Sequence, residues 1–216
     1  LFVEKTKKPI ILSGHSMGAA SAIQVAAIRP DLVSGLVLLD PVLMTNKIKL
    51  IFKIARKYPL FKNLPIIKHG MMMSESTKKR RRIWKDKDEI FNSYKKKLIF
   101  KTWTETTIKN YIDGGTEIKG DGISLTCDPL WEAATFSSWK HDAMGLINKL
   151  NCPITLIQAE FNSTARGNGP TKLMQQDKYG VHRIIKGSSH FLPMEFPQII
   201  NMEISNLQKR IDNEKQ

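Results

Sequence analysis

The segment "PIILSGHSMGAASAIQVAAIRP", residues 9–30, constrains the fold of this chain more than any other. Residues 9–14 are a short apolar run closed by glycine, the pattern of a buried strand. Residues 16–29 form an alanine-rich stretch with Pro30 just past its end, the pattern of a helix. Between them stands Ser16, with Gly14 and Gly18 two residues to either side. A strand that becomes a helix within two residues must bend sharply, and both glycines are expected to clear space for that bend. A second apolar run, "SGLVLLDPVL" (34–43), reads as another buried strand, stopped by Pro41. Two nearly continuous apolar strands joined by a helix make a parallel βαβ unit, because a parallel sheet is covered on both faces. The fold class is therefore α/β.

The strand–helix rhythm breaks at about residue 46 and returns at about 149. The intervening stretch is basic, with helical periodicity in "NKIKLIFKIARKY", "DEIFNSYKKKLIF" and "TETTIKNYIDGG". It reads as an all-helical insertion. After it, "CPITLIQA" (152–159) is a strand, "GPTKLMQQDKYG" (169–180) a helix opened by Pro170, "VHRIIKG" (181–187) a strand, and residues 196–216 a terminal amphipathic helix.

Charge follows the same division. The 216 residues carry a net charge of +14, and residues 46–120 alone hold 20 Lys/Arg against 7 Asp/Glu. The densest runs are "KKRRR" (78–82) and "KKK" (95–97). No aromatic-interleaved RNA motif, zinc finger or helix-turn-helix accompanies them, so nucleic acid is not the expected partner. A solvated helix face is the plainer reading, with weak contact to an anionic membrane surface as the other. No apolar run approaches the ~20 residues of a membrane-spanning helix. Cys127 and Cys152 sit in no metal-binding or CxxC spacing, which predicts free thiols, no metal and a reducing, cytoplasmic compartment. No cofactor is expected.

Gly14-His15-Ser16-Met17-Gly18 fits G-x-S-x-G between strand and helix, the setting in which that motif presents a nucleophilic serine. The helix behind Ser16 favours negative charge at its N-terminus, and the Met17 N–H is placed to donate to an oxyanion. A serine hydroxyl needs a base. His15 is expected to be a packing residue. His69 and His141 fall in the insertion, and His182 opens a strand, at the wrong end of the sheet. His190, in "IIKGSSHFLPMEFP", follows the last strand, on the edge where parallel strands end and where Ser16 also sits.

These stretches, "GHSMG", "LVLLDPVL", "PITLIQAEFN" and "GSSHFLPMEFP", resemble an α/β-hydrolase of the serine esterase or lipase kind, over residues 9–210. The resemblance implies the C-terminal part of the hydrolase parallel sheet (residues 1–45 and 149–216) interrupted by a helical lid (46–148). "RRRIW", "YIDGG" and "DGISLTCDPLWEA" resemble the cap of a lipase- and esterase-like subgroup. It further implies hydrolysis of a carboxylic ester or related acyl bond through Ser16, His190 and an acid. The acid commonly ends a G-x-x-D after the strand at 152–159, but here that segment is Ala159-Glu160-Phe161-Asn162, and Asn162 carries no charge. Asp40, at the end of the strand after the serine's helix, is the favoured acid, Glu160 the alternative, and a site with no charged third member the remaining reading.

The family also places several strands and a second oxyanion donor ahead of the serine. Only about a dozen residues precede Ser16 here, so a fragment is expected, with the serine's strand unpaired on one side. Two other readings stay open: a non-catalytic relative used for binding, and a basic lid that binds an anionic surface. Aromatic residues of the lid, namely Phe52, Phe61, Trp84, Phe91, Phe100, Trp103, Trp131, Phe136 and Trp139, are expected to form its core or to roof the site.

Overall fold

The computed structural model describes residues 7–58, 65–138 and 142–213; Phe61, Trp139 and His141 lie outside them, as does the side chain of His69. The described chain runs β1 (Ile10–His15), α1 (Met17–Ile28), β2 (Val33–Leu39), α2 (Asn46–Lys57), α3 (Pro65–Lys78), β3 (Ile83–Trp84), α4 (Lys87–Lys95), α5 (Glu105–Gly115), β4 (Thr116–Lys119), β5 (Gly122–Leu125), α6 (Pro129–Ser138), α7 (Ala143–Leu146), β6 (Ile154–Ala159), α8 (Gly169–Met174), β7 (Val181–Ile185), α9 (Leu192–Glu195) and α10 (Pro197–Asn213). It divides into two compact units, one of residues 1–48 with 141–216, the other of residues 49–140.

The first unit is built on a four-stranded sheet in the order β1-β2-β6-β7. Every neighbouring pair in it is parallel. Alternation along the strands divides the core in two. Leu36, Leu38, Ile154 and Leu156 pack on one face with Ala19, Ala20, Ala22, Ile23 and Ala26 of α1. Val37, Leu39, Ile157 and Ala159 pack on the other with Ile200, Leu207 and Ile211 of α10. The alanines of α1 are small enough to bring the helix close to the sheet. Gly35 does the same for α10, since a Cβ there would stand 2.9 Å from Ile211 Cδ1. Fully buried apolar side chains of this kind each contribute roughly 1.5–3 kcal/mol.

Three sequence expectations need correction in detail. The helix expected over 169–180 ends at Met174. The chain turns there to bring Asp177 to two donors, the Ile154 N–H at 2.7 Å and the Arg210 guanidinium at 2.7 Å. The stretch 143–147, assigned to the lid, packs instead in the first unit's core through Ala143, Met144 and Ile147. The insertion is also not all-helical. β3, β5 and β4 form an antiparallel three-stranded sheet; the two residues between β4 and β5 include Gly120 at φ +59°, which suits the tight turn of a hairpin.

The second unit has an aromatic core of its own. Tyr94 stacks on Phe100 at 4.7 Å between centroids, and Trp103 meets Phe100 and Tyr111 edge-on. Trp84 and Trp103 are buried, whereas Trp131 is exposed. Its basic runs are matched by acids: Arg80 with Glu132, Arg81 with Glu89 and Arg82 with Asp128. Among the described residues no helix is long and apolar enough to cross a membrane.

Candidate active site

All four strands of the main sheet end on one edge, and the residues that follow them build the site. Ser16 follows β1, Asp40 follows β2, residues 160–165 follow β6, and His190 lies beyond β7.

Ser16 sits between strand and helix at φ 55°, ψ −115°. A side chain in such a sparsely populated region costs on the order of 1–3 kcal/mol and persists only where its surroundings hold it. Here the Ser16 N–H donates to the Leu39 carbonyl (2.9 Å), and the Ser16 carbonyl accepts from the Val42 and Ala20 N–H groups (3.2 Å each). Gly14 is indispensable to this bend, since a Cβ there would lie 2.5 Å from the backbone of Gly18. Gly18 itself is not crowded: a Cβ on it would meet nothing within 4 Å, so only Gly14 clears space as expected. Met17 opens the helix, so its N–H has no intrahelical acceptor and is available to a bound anion.

His190 joins the serine to a carboxylate. Its Nε2 is 2.9 Å from Ser16 Oγ and its Nδ1 2.6 Å from Asp40 Oδ2. A carboxylate can only accept, so the proton lies on Nδ1 and Nε2 is free to accept the serine's proton. Asp40 is 0% exposed. Its remaining lone pairs are taken by the Ser163 hydroxyl (2.6 Å) and the backbone N–H groups of Thr164 (2.9 Å) and Ala159 (3.1 Å). Burial by itself raises the carboxyl's pKa. The hydrogen bonds from His190, Ser163, Thr164 and Ala159 together outweigh it and hold Asp40 below the usual carboxylate value. Asp40 also adopts a positive φ of 43°, a conformation that Asp tolerates better than most residues.

Glu160, the alternative acid, points to another task. Its Oε2 accepts from the Gly187 N–H at 2.7 Å, and its own N–H donates to Ser188 Oγ at 3.3 Å. His182 lies on the N-terminal side of β7 and bonds Gln158 at 2.8 Å, away from the serine. Asn162, at the position of the family's common acid, marks a left-handed turn at φ 55° that aims the next two residues at Asp40.

Sequence reasoning overlooked Ser163 and Thr164. The signal was present: a hydroxyl-rich "NST" stands where the resemblance calls for an acid, which suits a loop that donates to a carboxylate supplied from elsewhere. It also took His15 for packing alone, whereas the His15 ring lies 4.7 Å from that of His190 and its Nε2 is 2.6 Å from the His190 carbonyl. Burial lowers the His15 pKa, partly opposed by that hydrogen bond. Among the described residues no cluster of His, Cys, Asp and Glu could hold a metal ion.

A serine–imidazole–carboxylate chain beside a helix N-terminus is an arrangement suited to nucleophilic acyl transfer. Comparison with known proteins agrees at the level of family. The family described as serine aminopeptidase, S33, matches residues 2–131. Mouse monoglyceride lipase is 55% identical over 38 residues, which are 18% of this chain and 12% of that lipase's length. The crystal structure of E-2-(acetamidomethylene)succinate hydrolase superposes with a TM-score of 0.69 at 15% identity, covering 95% of this chain and 69% of the other. An esterase of Mycobacterium tuberculosis superposes with a TM-score of 0.61 at 18% identity, covering 92% of this chain and 62% of its own. The chain therefore belongs to the S33 serine aminopeptidase family of α/β-hydrolases, a superfamily of esterases and lipases.

Proposed function

We propose that this protein hydrolyses a carboxylic ester, or a related acyl bond, through Ser16, His190 and Asp40. The observation that carries the reading is the continuous hydrogen-bonded series from the Ser16 hydroxyl through the His190 imidazole to the buried Asp40 carboxylate.

Ser16 Oγ attacks the acyl carbonyl as its proton passes to His190 Nε2. The imidazolium so formed is stabilised by Asp40, which stays ionised because its other lone pairs are also hydrogen-bonded. The carbonyl oxygen, now negative, is held by the Met17 N–H at the helix N-terminus. Loss of one such donor costs on the order of 10²–10³ in rate, so the oxyanion site carries a large part of the catalysis. His190 returns the proton to the leaving alcohol, and the acyl group stays on Ser16. Water, giving a proton to the same imidazole, then attacks the acyl carbon; the Ser16 Oγ–acyl bond breaks, His190 returns that proton to Ser16 Oγ, and the acid leaves. Residues 49–140 interrupt the first unit in sequence, within the segment where the family resemblance implies a lid.

The absence of a charge at Asn162 would favour a binding protein that has lost catalysis. Asp40 removes the force of that reading, since the acid is supplied from β2 instead. The decisive experiment is labelling of the purified protein with a fluorophosphonate, paired with a chain-length series of p-nitrophenyl esters. Labelling and ester turnover that both vanish in Ser16→Ala support the enzyme. Unlabelled wild-type protein with no turnover on any ester would sink it.

A further inference from the structure

The loop between β7 and α9 must hold His190 against both Ser16 and Asp40, yet its residues make no regular ladder. Its near end is tied down by the Gly187 N–H on Glu160 (2.7 Å) and by the Phe161 N–H on the Ser188 carbonyl (3.0 Å). Its middle is tied by the N–H and hydroxyl of Ser189 on Glu195, both at 2.7 Å. The carbonyl of His190 itself is reached by one side chain from the serine's own strand, that of His15.

We propose that His15 is a positioning residue for the reaction proposed above: its Nε2–H donates to the His190 carbonyl and fixes the imidazole between serine and carboxylate. The geometry is direct. A backbone carbonyl can only accept, so the 2.6 Å contact places a proton on His15 Nε2. His15 ends β1 and immediately precedes Ser16, so it ties nucleophile and base to one rigid strand rather than to two independent loops. Its ring also packs beside the His190 ring (4.7 Å) and faces Phe191 (6.5 Å), restricting rotation of the imidazole. A second cation at this distance would oppose the imidazolium that forms on His190 during the reaction. The role therefore suits a neutral donor, and burial, which lowers the His15 pKa, favours one. A charged lysine or arginine at this position would bring the same hydrogen bond with the wrong charge.

This inference rests on the catalytic role of Ser16 and His190, and the test separates the two. His15→Phe keeps the ring and removes the donor; His15→Gln replaces the ring by an amide N–H of similar reach. Active sites are titrated with the fluorophosphonate, and kcat and KM are then measured per titrated site. One hydrogen bond that orients the base corresponds to about tenfold in rate. His15→Phe is expected to lose about tenfold in kcat with KM nearly unchanged, and His15→Gln to stay within about threefold of wild type. The downfield proton resonance of the His190 Nδ1–H on Asp40 should broaden or shift in His15→Phe and return in His15→Gln. Wild-type kcat in His15→Phe overturns the proposal. So does an equal loss in both variants, which would assign the effect to the ring rather than the donor. If His15→Phe does not fold, His15→Gln carries the test alone, and a tenfold loss there overturns it. Failure of the underlying reading looks different: Ser16→Ala would keep the esterase activity.

Discussion

Asp40 in the first unit and the acids of the second show two different uses of a carboxylate. Asp40 is fully buried and accepts from His190, Ser163, Thr164 and Ala159. Asp113, Asp128 and Glu132 pair with Lys87, Arg82 and Arg80 on the surface, with side chains 58%, 35% and 30% exposed. A buried charge is costly unless every lone pair is satisfied, so its surroundings are specified residue by residue. An exposed pair gains little from its partner and is screened by salt. The charge that dominates the composition lies in the second unit, while the charge that the proposed reaction uses is one carboxylate in the first.

The contrast can be broken most severely at the serine. Ser16→Ala should abolish fluorophosphonate labelling and lower ester turnover by at least about 10³-fold, measured by active-site titration and steady-state rates. Asp40→Asn should lower kcat by on the order of 10³–10⁴, because the histidine loses the partner that sets its tautomer; Glu160→Gln should leave kcat near wild type. A wild-type rate in Asp40→Asn would show that the acid lies elsewhere.

Asp40 also predicts a pH dependence of stability. Its folded-state pKa lies below the unfolded carboxyl's 3.8. The ionised group thus stabilises the fold above that value, and the contribution is lost as pH falls through the folded-state pKa. Denaturant midpoints followed from about pH 5 to about pH 2 should therefore fall less steeply in Asp40→Asn than in wild type.

The bend offers an intermediate test. Gly14→Ala forces a Cβ to within 2.5 Å of backbone and should cost on the order of 1–3 kcal/mol in thermal or chemical unfolding. Gly18→Ala meets nothing and should be tolerated within about 0.5 kcal/mol. The smallest effect belongs to the basic unit: Arg82→Ala should change stability by less than about 1 kcal/mol, since the side chains of Arg82 and Asp128 are 50% and 35% exposed. A larger loss there would mean that the surface pairs act as a network.

Much of the first unit could be read from local pattern. Apolar runs at 34–39 and 152–159 predict parallel strands and are buried on both faces; the run at 9–14 also forms a parallel strand, but at the edge of the described sheet and with no residue fully buried, not the buried strand expected. The alanine-rich stretch after Ser16 predicts the helix between the first two. The second unit was harder. Strands of two and four residues such as Ile83–Trp84 and Gly122–Leu125 are too short for periodicity to separate them from helix or loop. Residues 143–147 carry no mark of which core they join, because burial is decided by partners distant in sequence.

The sequence by itself determined the bend at Ser16, the strand–helix alternation and the placement of Ser16, Asp40 and His190 at strand ends, since these follow from short-range sterics and from the common direction of parallel strands. Only the tertiary structure decided that Ser163 and Thr164 surround Asp40, that Glu160 braces Gly187, and that His15 reaches the carbonyl of His190. Those contacts join residues 27 to 175 positions apart. No local propensity encodes such pairings; they exist because the packed sheet brings the loops after β1, β2, β6 and β7 to one edge and leaves their polar groups to satisfy one another.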